Sequence, residues 1–416
     1  MNKFISYTNW LNETITPTIN KHMTHAEDLV LLGKDGLEWI NKIFPKLYNK
    51  LKSNTDKDDI KLSVKFDGAP SIFVWTKFRN ELSKPGVAIK GLFAKNPKVM
   101  FTNEDIYKYY KDQPGLVNEL KILLKYVKIL GIPENEIWQG DLLFDKNSVK
   151  DEGKQYSFHP NTIIYKVDKD SEIGEKIGKS EIGIVWHTKY TGTSLKDIKA
   201  NYNVKISELN QNSIIFMTDP YIASVAGYVT LTEEEKEKIK NLLIKINEES
   251  KNLLKSENYN KIIDDKNMIL LFNIFSNLLI KQNIRLTDPN KILDKFQYFI
   301  KNRLEKEREK KKTDIAKEKI TNEENRLLNL IKETKDTFIL IINLMIIIKK
   351  LKNVFIKKLN NISKFQTFLK TKEGKLLTTG DEGFAVSDIH GNIVKLVDRY
   401  DFSYANFSPD IVKGWK

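Results

Sequence analysis

The sequence predicts an α+β fold in which a β-rich body carries a large all-α insertion. Three observations predict it. Between residues 60 and 228, short β-rich runs are punctuated by Gly, Pro, Asn and Asp. From 231 to 370 glycine disappears, proline occurs once, at Pro289, and Leu and Ile recur at helical spacing among Lys, Glu and Asn. From Gly374 β character returns, and this last pair of runs reads as a hairpin whose strand partners lie before residue 230. The expected organisation is a helical segment over 1–55, a β-rich domain formed by 56–230 with 371–416, and a helical insertion over 231–370.

Taken in order, residues 26–32 and 37–51 place apolar side chains three and four apart and read as helices. Strands are expected at 62–66, 71–75, 87–90, 137–144, 162–167 and 182–187, with helices near 103–111 and 116–130. Residues 303–326 are charged nearly all round with mixed signs, the pattern of a solvated helix or a coiled-coil-like arm. The run FILIINLMIII over 338–348 has about half of the ~20 residues that a spanning helix needs. It is expected as a buried helix, with no membrane partner. The returning strands are 383–386 and 393–397, joined by a turn at His390-Gly391-Asn392.

Composition narrows the function classes. The 416 residues carry 69 Lys+Arg against 55 Asp+Glu, a net +14, which suggests an anionic partner, nucleic acid being the commonest. There is no cysteine, which excludes a disulfide scaffold, a Cys nucleophile, an iron–sulfur cluster and thiolate zinc, and fits a reducing compartment. No signal peptide is visible at the start, and no H-E-x-x-H, P-loop or Ser–His–Asp pattern is present.

The most informative peptide is Lys65-Phe66-Asp67-Gly68 at the end of an apolar run. It presents an amine at the mouth of a sheet, with a carboxylate and a turn glycine beside it. An unperturbed lysine, with a pKa of ~10.4, is neutral in only about one molecule in a thousand near pH 7.4. It becomes a nucleophile only where burial, another cation or a metal lowers that value. The bland reading of the tetrapeptide is a strand end with a surface lysine and an Asp-Gly turn. Other peptides shift the balance. Asp141 sits between two apolar strand halves in 138–144, Trp186 ends a buried run, Glu382-Gly383 opens a strand, and Lys395 lies inside the apolar run 393–397. A lysine there is costly unless it meets an anion.

In this order the peptides resemble the covalent nucleotidyltransferase superfamily: ATP-dependent RNA and DNA ligases and mRNA capping enzymes. The resemblance implies an antiparallel-sheet, ATP-grasp-like adenylylation domain with the helical block inserted. Lys65 through Gly68 resembles the nucleotide-binding motif whose lysine is joined covalently to AMP. Asp141 falls where the family carries Glu, Val185-Trp186 resembles the strand whose aromatic packs on the base, Glu382-Gly383 the motif with a metal-binding glutamate, and Lys395 the lysine that contacts the α-phosphate. Three departures stand out: Ala69-Pro70 where Arg is common, Asp141 for Glu, and Val397 where a second lysine is frequent. They bear on full ligase turnover more than on nucleotide binding. The peptides Thr24–Asp28, Phe158–Thr162 and the segment 394–416 are similar to a family encoded by T4-like and other tailed phages, which implies action in a bacterial host's cytoplasm.

The resemblance implies these roles. Lys65 attacks ATP, with Asp67 orienting it and Gly68 shaping the nucleotide turn. Asp141 binds ribose or a metal-bound water, Trp186 walls the adenine, Glu382 and Asp141 hold Mg²⁺ or Mn²⁺, and Lys395 stabilises the transferring phosphate. Lys90, Lys95 and Lys98 are candidates for the phosphate tail, against an equally weighted solvated-loop reading. His159 and His187 read as structural. The expected partner is nucleic acid, as RNA or as nicked or single-stranded ends, gripped by the basic helices. With about twenty residues after Lys395, the expected class is an RNA ligase rather than a DNA ligase with its following OB-fold. Two rivals stand beside it: a nucleic-acid-binding or phage-assembly protein on a degenerate scaffold, and an AMP transferase to an acceptor other than nucleic acid.

Overall fold

A computed structural model describes residues 24–53, 60–89, 91–94, 96–202, 204–219, 231–360, 365–380, 382–388, 392–403, 405 and 408–414. Lys90, Lys95, the part of the expected helical segment before residue 24 and the turn residues His390 and Gly391 lie outside these. Strand β1 (Thr24–His25) leads through a 3₁₀ turn (Ala26–Leu32) into helix α1 (Gly33–Ser53). Strands β2 (Ile60–Lys65), β3 (Ser71–Trp75), β4 (Gly86–Ile89) and β5 (Val99–Met100) precede helices α2 (Asn103–Tyr110) and α3 (Pro114–Tyr126). Then come β6 (Glu136–Asp145), β7 (Lys150–Asp151), β8 (Gln155–Phe158), β9 (Ile163–Asp168), helix α4 (Glu172–Lys179), β10 (Ile182–Thr191), β11 (Lys199–Asn201) and β12 (Ile215–Thr218).

The helical block runs α5 (Glu233–Lys255), α6 (Glu257–Ile263), α7 (Lys266–Lys281), α8 (Pro289–Glu309), α9 (Asp314–Glu333) and α10 (Lys335–Leu359). Its first helix is fixed by a capping box, Thr232 with Glu235, which satisfies two otherwise orphaned donors. The charged segment 303–326 folds as the antiparallel pair α8–α9, with Arg308 reaching Glu324 at 3.2 Å. The apolar run 338–348 lies in α10, where Phe338, Ile341, Ile342, Leu344, Ile347 and Ile348 are buried. No helix among the described residues is long and apolar enough to cross a membrane. Strands β13 (Gln366–Lys370), β14 (Leu376–Thr378), β15 (Gly383–Asp388) and β16 (Ile393–Leu396) complete the order.

Among the described residues the strands form three sheets, mostly antiparallel. Sheet one, in the order β1-β16-β15-β2, joins the returning hairpin to early strands: Gly383 pairs with Lys65 and Thr24 with Val394. Sheet two runs β11-β10-β6-β3-β4-β5, with β12 beside β10. Sheet three, β14-β13-β9-β8-β7, contains strands too short to carry a readable period, and β13 begins where the sequence pattern predicts that the insertion continues. The helical block shares one apolar cluster with α1 and sheet one, running from Phe44 and Leu47 through Phe296 and Phe355 to Phe384 and Val394. Helices α2 and α3 cover one face of sheet two, with Leu120 and Leu123 against Val74, Trp138 and Trp186. Sheet two's other face is left toward sheet one.

Candidate functional site

A cavity of about 1080 Å³ lies between these two sheets, lined by Lys65, Glu382 and Lys395 from sheet one and by Ser71, Asp141 and His187 from sheet two. Pairing explains the convergence. Lys65 ends β2 opposite Gly383, so Glu382 arrives beside it, and Lys395 is opposite Ala385 one strand further on. Across the gap, Asp141 is in register with both Ser71 and Val185. Two glycines permit the close approach. A Cβ on Gly68 would stand 2.7 Å from the Asp141 Cβ, and one on Gly383, at φ +154°, would stand 2.4 Å from the Leu396 carbonyl.

Lys65 donates to Glu382 in a short ion pair. Burial pulls the Lys65 ammonium toward neutrality, but Glu382, then Asp141 and Asp67, together hold its pKa above the ordinary value. Burial raises Glu382 to about 7 in spite of Lys65, with Asp67 and Asp141 adding repulsion. Lys395 is lowered to about 8 by burial and by neighbouring Lys65. Burial would raise Asp141, but His187, 3.6 Å away, and Lys65 turn it below its usual range. Glu382 and Asp141 thus face the two lysines in the cavity, with Asp67 behind Lys65 adding negative charge. Such a corner offers a triphosphate no excess positive charge, which a divalent cation brought with it would supply.

The carboxylates of Glu382 and Asp141 fit that need, since Mg²⁺ is commonly held by one or two carboxylates plus substrate phosphates. Among the described residues no group of three His, Asp or Glu could hold a metal without such help. These residues would take the cation as part of the nucleotide, where it would neutralise phosphate charge.

The structure redirects several assignments. Asp67 is buried, and its carboxylate accepts from Asn161 Nδ2 at 2.8 Å, Thr162 N at 2.7 Å and Ile163 N at 2.9 Å. It acts on Lys65 by charge and spends its hydrogen bonds on the loop before β9. Trp186 is not in the cavity. Regular alternation keeps it on the face of Ile182 and Ile184, where it packs edge-on against Trp138 at 6.0 Å. A β-bulge then falls between Trp186 and Thr188, so His187 and Thr188 both line the cavity. Bulges re-aim side chains in this way. Lys98 sits over the Tyr109 and Tyr110 rings, at 5.7 and 5.5 Å, away from the cavity lining. His159 is also outside it, its Nε2 buried without a partner.

Sequence reasoning missed a polar wall on sheet two. Tyr190 Oη donates to Gln139 Oε1 at 2.6 Å, Gln139 Nε2 donates to Ser71 Oγ at 2.9 Å, and His187 Nδ1 meets Thr188 Oγ1 at 2.8 Å. Gln139 was findable, lying two residues before Asp141 on the same strand face. The bulge that brings Thr188 onto the same face as His187 leaves no period to read there.

The pattern of a family of unknown function, DUF6267, matches residues 20–410. A segment of 103 residues, 24% of this chain, is 31% identical to a trigger factor from Agathobacter rectalis and spans 23% of that protein's length. No solved structure matches.

Proposed function

We propose that this chain, which belongs to the DUF6267 family, is an ATP-dependent nucleotidyltransferase that forms a covalent lysyl-AMP and passes the nucleotide to a polynucleotide end. One observation carries the reading: Lys65, Asp141, Glu382 and Lys395, far apart in sequence, line one cavity between two sheets.

In this reading the Lys65 ammonium first gives up a proton to solvent, which its ion pair makes harder than for a free lysine. The neutral Nζ then attacks the α-phosphorus of ATP. A P–N bond forms, the bond to the bridging oxygen breaks, and pyrophosphate leaves. Lys395 stabilises the charge on the transferring phosphoryl group as a point charge. Glu382 and Asp141 would hold the nucleotide's Mg²⁺, which would supply positive charge against the phosphates. A 5′-phosphate oxygen of the polynucleotide then attacks the lysyl-AMP phosphorus, the P–N bond breaks and returns the Lys65 amine, and a 3′-hydroxyl displaces AMP from the activated end. RNA is the favoured polymer on the resemblance to RNA ligases, and the excess positive charge supports an affinity that falls with salt.

The test is incubation with α-labelled ATP and Mg²⁺ beside Lys65→Ala, followed by denaturation. Label that survives in the wild type and is absent from the variant is the expected result. The charged Lys65–Glu382 pair favours a second reading, a nucleotide-binding protein without transfer. That reading gains if ATP binds but no label survives denaturation in either protein.

A further inference from the structure

The ammonium of Lys395 has no hydrogen-bond or ion-pair partner among the described residues, so its place is set by the strand that carries it. Just beyond that strand, four consecutive residues are each held by the helical block or the loop after α7. Asp398 accepts from Asn353 of α10 at 3.0 Å. Arg399 donates to Asn277 of α7 at 2.7 Å, and to Asp28 at 3.1 and 3.2 Å. The Tyr400 hydroxyl donates to the Ile284 carbonyl at 2.9 Å, while Lys349 of α10 stands 3.8 Å from its ring centre. Asp401 accepts from Arg285 at 2.9 Å.

The other flank of β16 is held in the same way. Strand β1 pairs with it, setting His25 opposite Lys395. The turn after β1 offers Glu27 to the fully buried Lys352 of α10, with Nζ to Oε distances of 2.7 and 2.8 Å. The end of the Lys395 strand and its β1 edge are therefore both fastened to the same helices.

We infer that the helical block is the positioning frame of Lys395, with Arg399 as the positioning residue that links α7, the turn after β1 and β16. The catalytic part of this inference rests on Lys395 acting on the transferring phosphoryl group; the mechanical part does not. A frame of this kind sets the rate of transfer without touching the nucleotide. Arg399 suits the task because its planar fork reaches Asn277 and Asp28 at once, which a lysine cannot reproduce.

The test uses the full chain with Asn277→Ala and Arg399→Lys, the first being the gentler change should the second fail to fold. Hydrogen exchange of the 393–397 amides should quicken about tenfold in either variant, with β3 and β6 unchanged. Adduct formation at saturating ATP should fall about tenfold with KM for ATP unmoved, and the same substitutions should cause no further fall when made in the Lys395→Ala background. Unchanged exchange at 393–397 in a folded variant would overturn the frame. An equally large further fall in the Lys395→Ala background would overturn its action through Lys395. If the wild type forms no adduct the transfer reading fails, and the exchange measurement still decides the frame.

Discussion

At the scale of single residues, the tetrapeptide that drew attention in the sequence divides its labour. Lys65 faces the cavity, whereas Asp67 faces away from it and ties the turn to residues 161–163. Its own amide donates to Tyr165 Oη at 2.7 Å, so the turn is fixed from two directions. Removing the carboxylate by Asp67→Ala leaves two buried backbone N–H groups unpaired. At about 1–3 kcal/mol for each such group, the expected loss is roughly 2–6 kcal/mol, read from the denaturant midpoint. A loss below about 1 kcal/mol would mean that the loop finds other acceptors. Asp141 and Lys395 were legible as charges set in apolar runs, whereas Lys65 and Glu382, at the end and the start of a strand, were singled out by the resemblance. The sequence left Asp67's partners hidden, since Asn161, Thr162 and Ile163 are 94 to 96 positions away.

At the scale of elements, legibility followed periodicity. The helical block declared itself by losing glycine over more than a hundred residues, and β6 and β10 by their apolar runs. Strands of two or three residues such as β7, β11 and β14 have no period to show. The misreading of Trp186 came from the resemblance, since alternation with Ile182 and Ile184 already puts it on the helix-covered face. Beyond His187 a bulge reverses the alternation. The register suggests a direct check. Trp186 pairs with Gly140 and Thr188 with Gln139, so His187 is the extra residue. Deleting it should leave a regular ladder, with Tyr190 still opposite Ile137. We expect the deletion variant to fold with a loss of less than about 2 kcal/mol, and to lose nucleotide affinity to the same degree as His187→Ala. A variant that unfolds cooperatively at far lower denaturant would show that the bulge is needed for the sheet itself.

At the scale of the whole molecule, sheet one and the helical block are joined by charge as well as by apolar packing. Lys352 is wholly buried and Glu27 nearly so. Burial would raise the Glu27 carboxyl, but Lys352 and Arg399 hold it below the ordinary 4.5. Breaking a buried pair from one side leaves an unpaired charge, which costs about 3–5 kcal/mol, whereas removing both charges with shape preserved is far milder. Lys352→Met should therefore destabilise strongly, and Glu27→Gln with Lys352→Met should recover most of the loss. The pH dependence has a fixed sign. A carboxyl depressed in the folded state contributes stability that is fully present above its unfolded value, and loses it as pH falls through the folded one. Wild-type stability should thus fall below pH 4.5 more steeply than that of the double variant. Asp28 remains in both proteins. Its burial raises it and pulls the opposite way, so its contribution largely cancels in the comparison. Denaturant midpoints from pH 3 to 7 decide the matter. Parallel curves would mean that the pair adds nothing on balance, leaving apolar packing alone to hold the helices against the Lys395 strand.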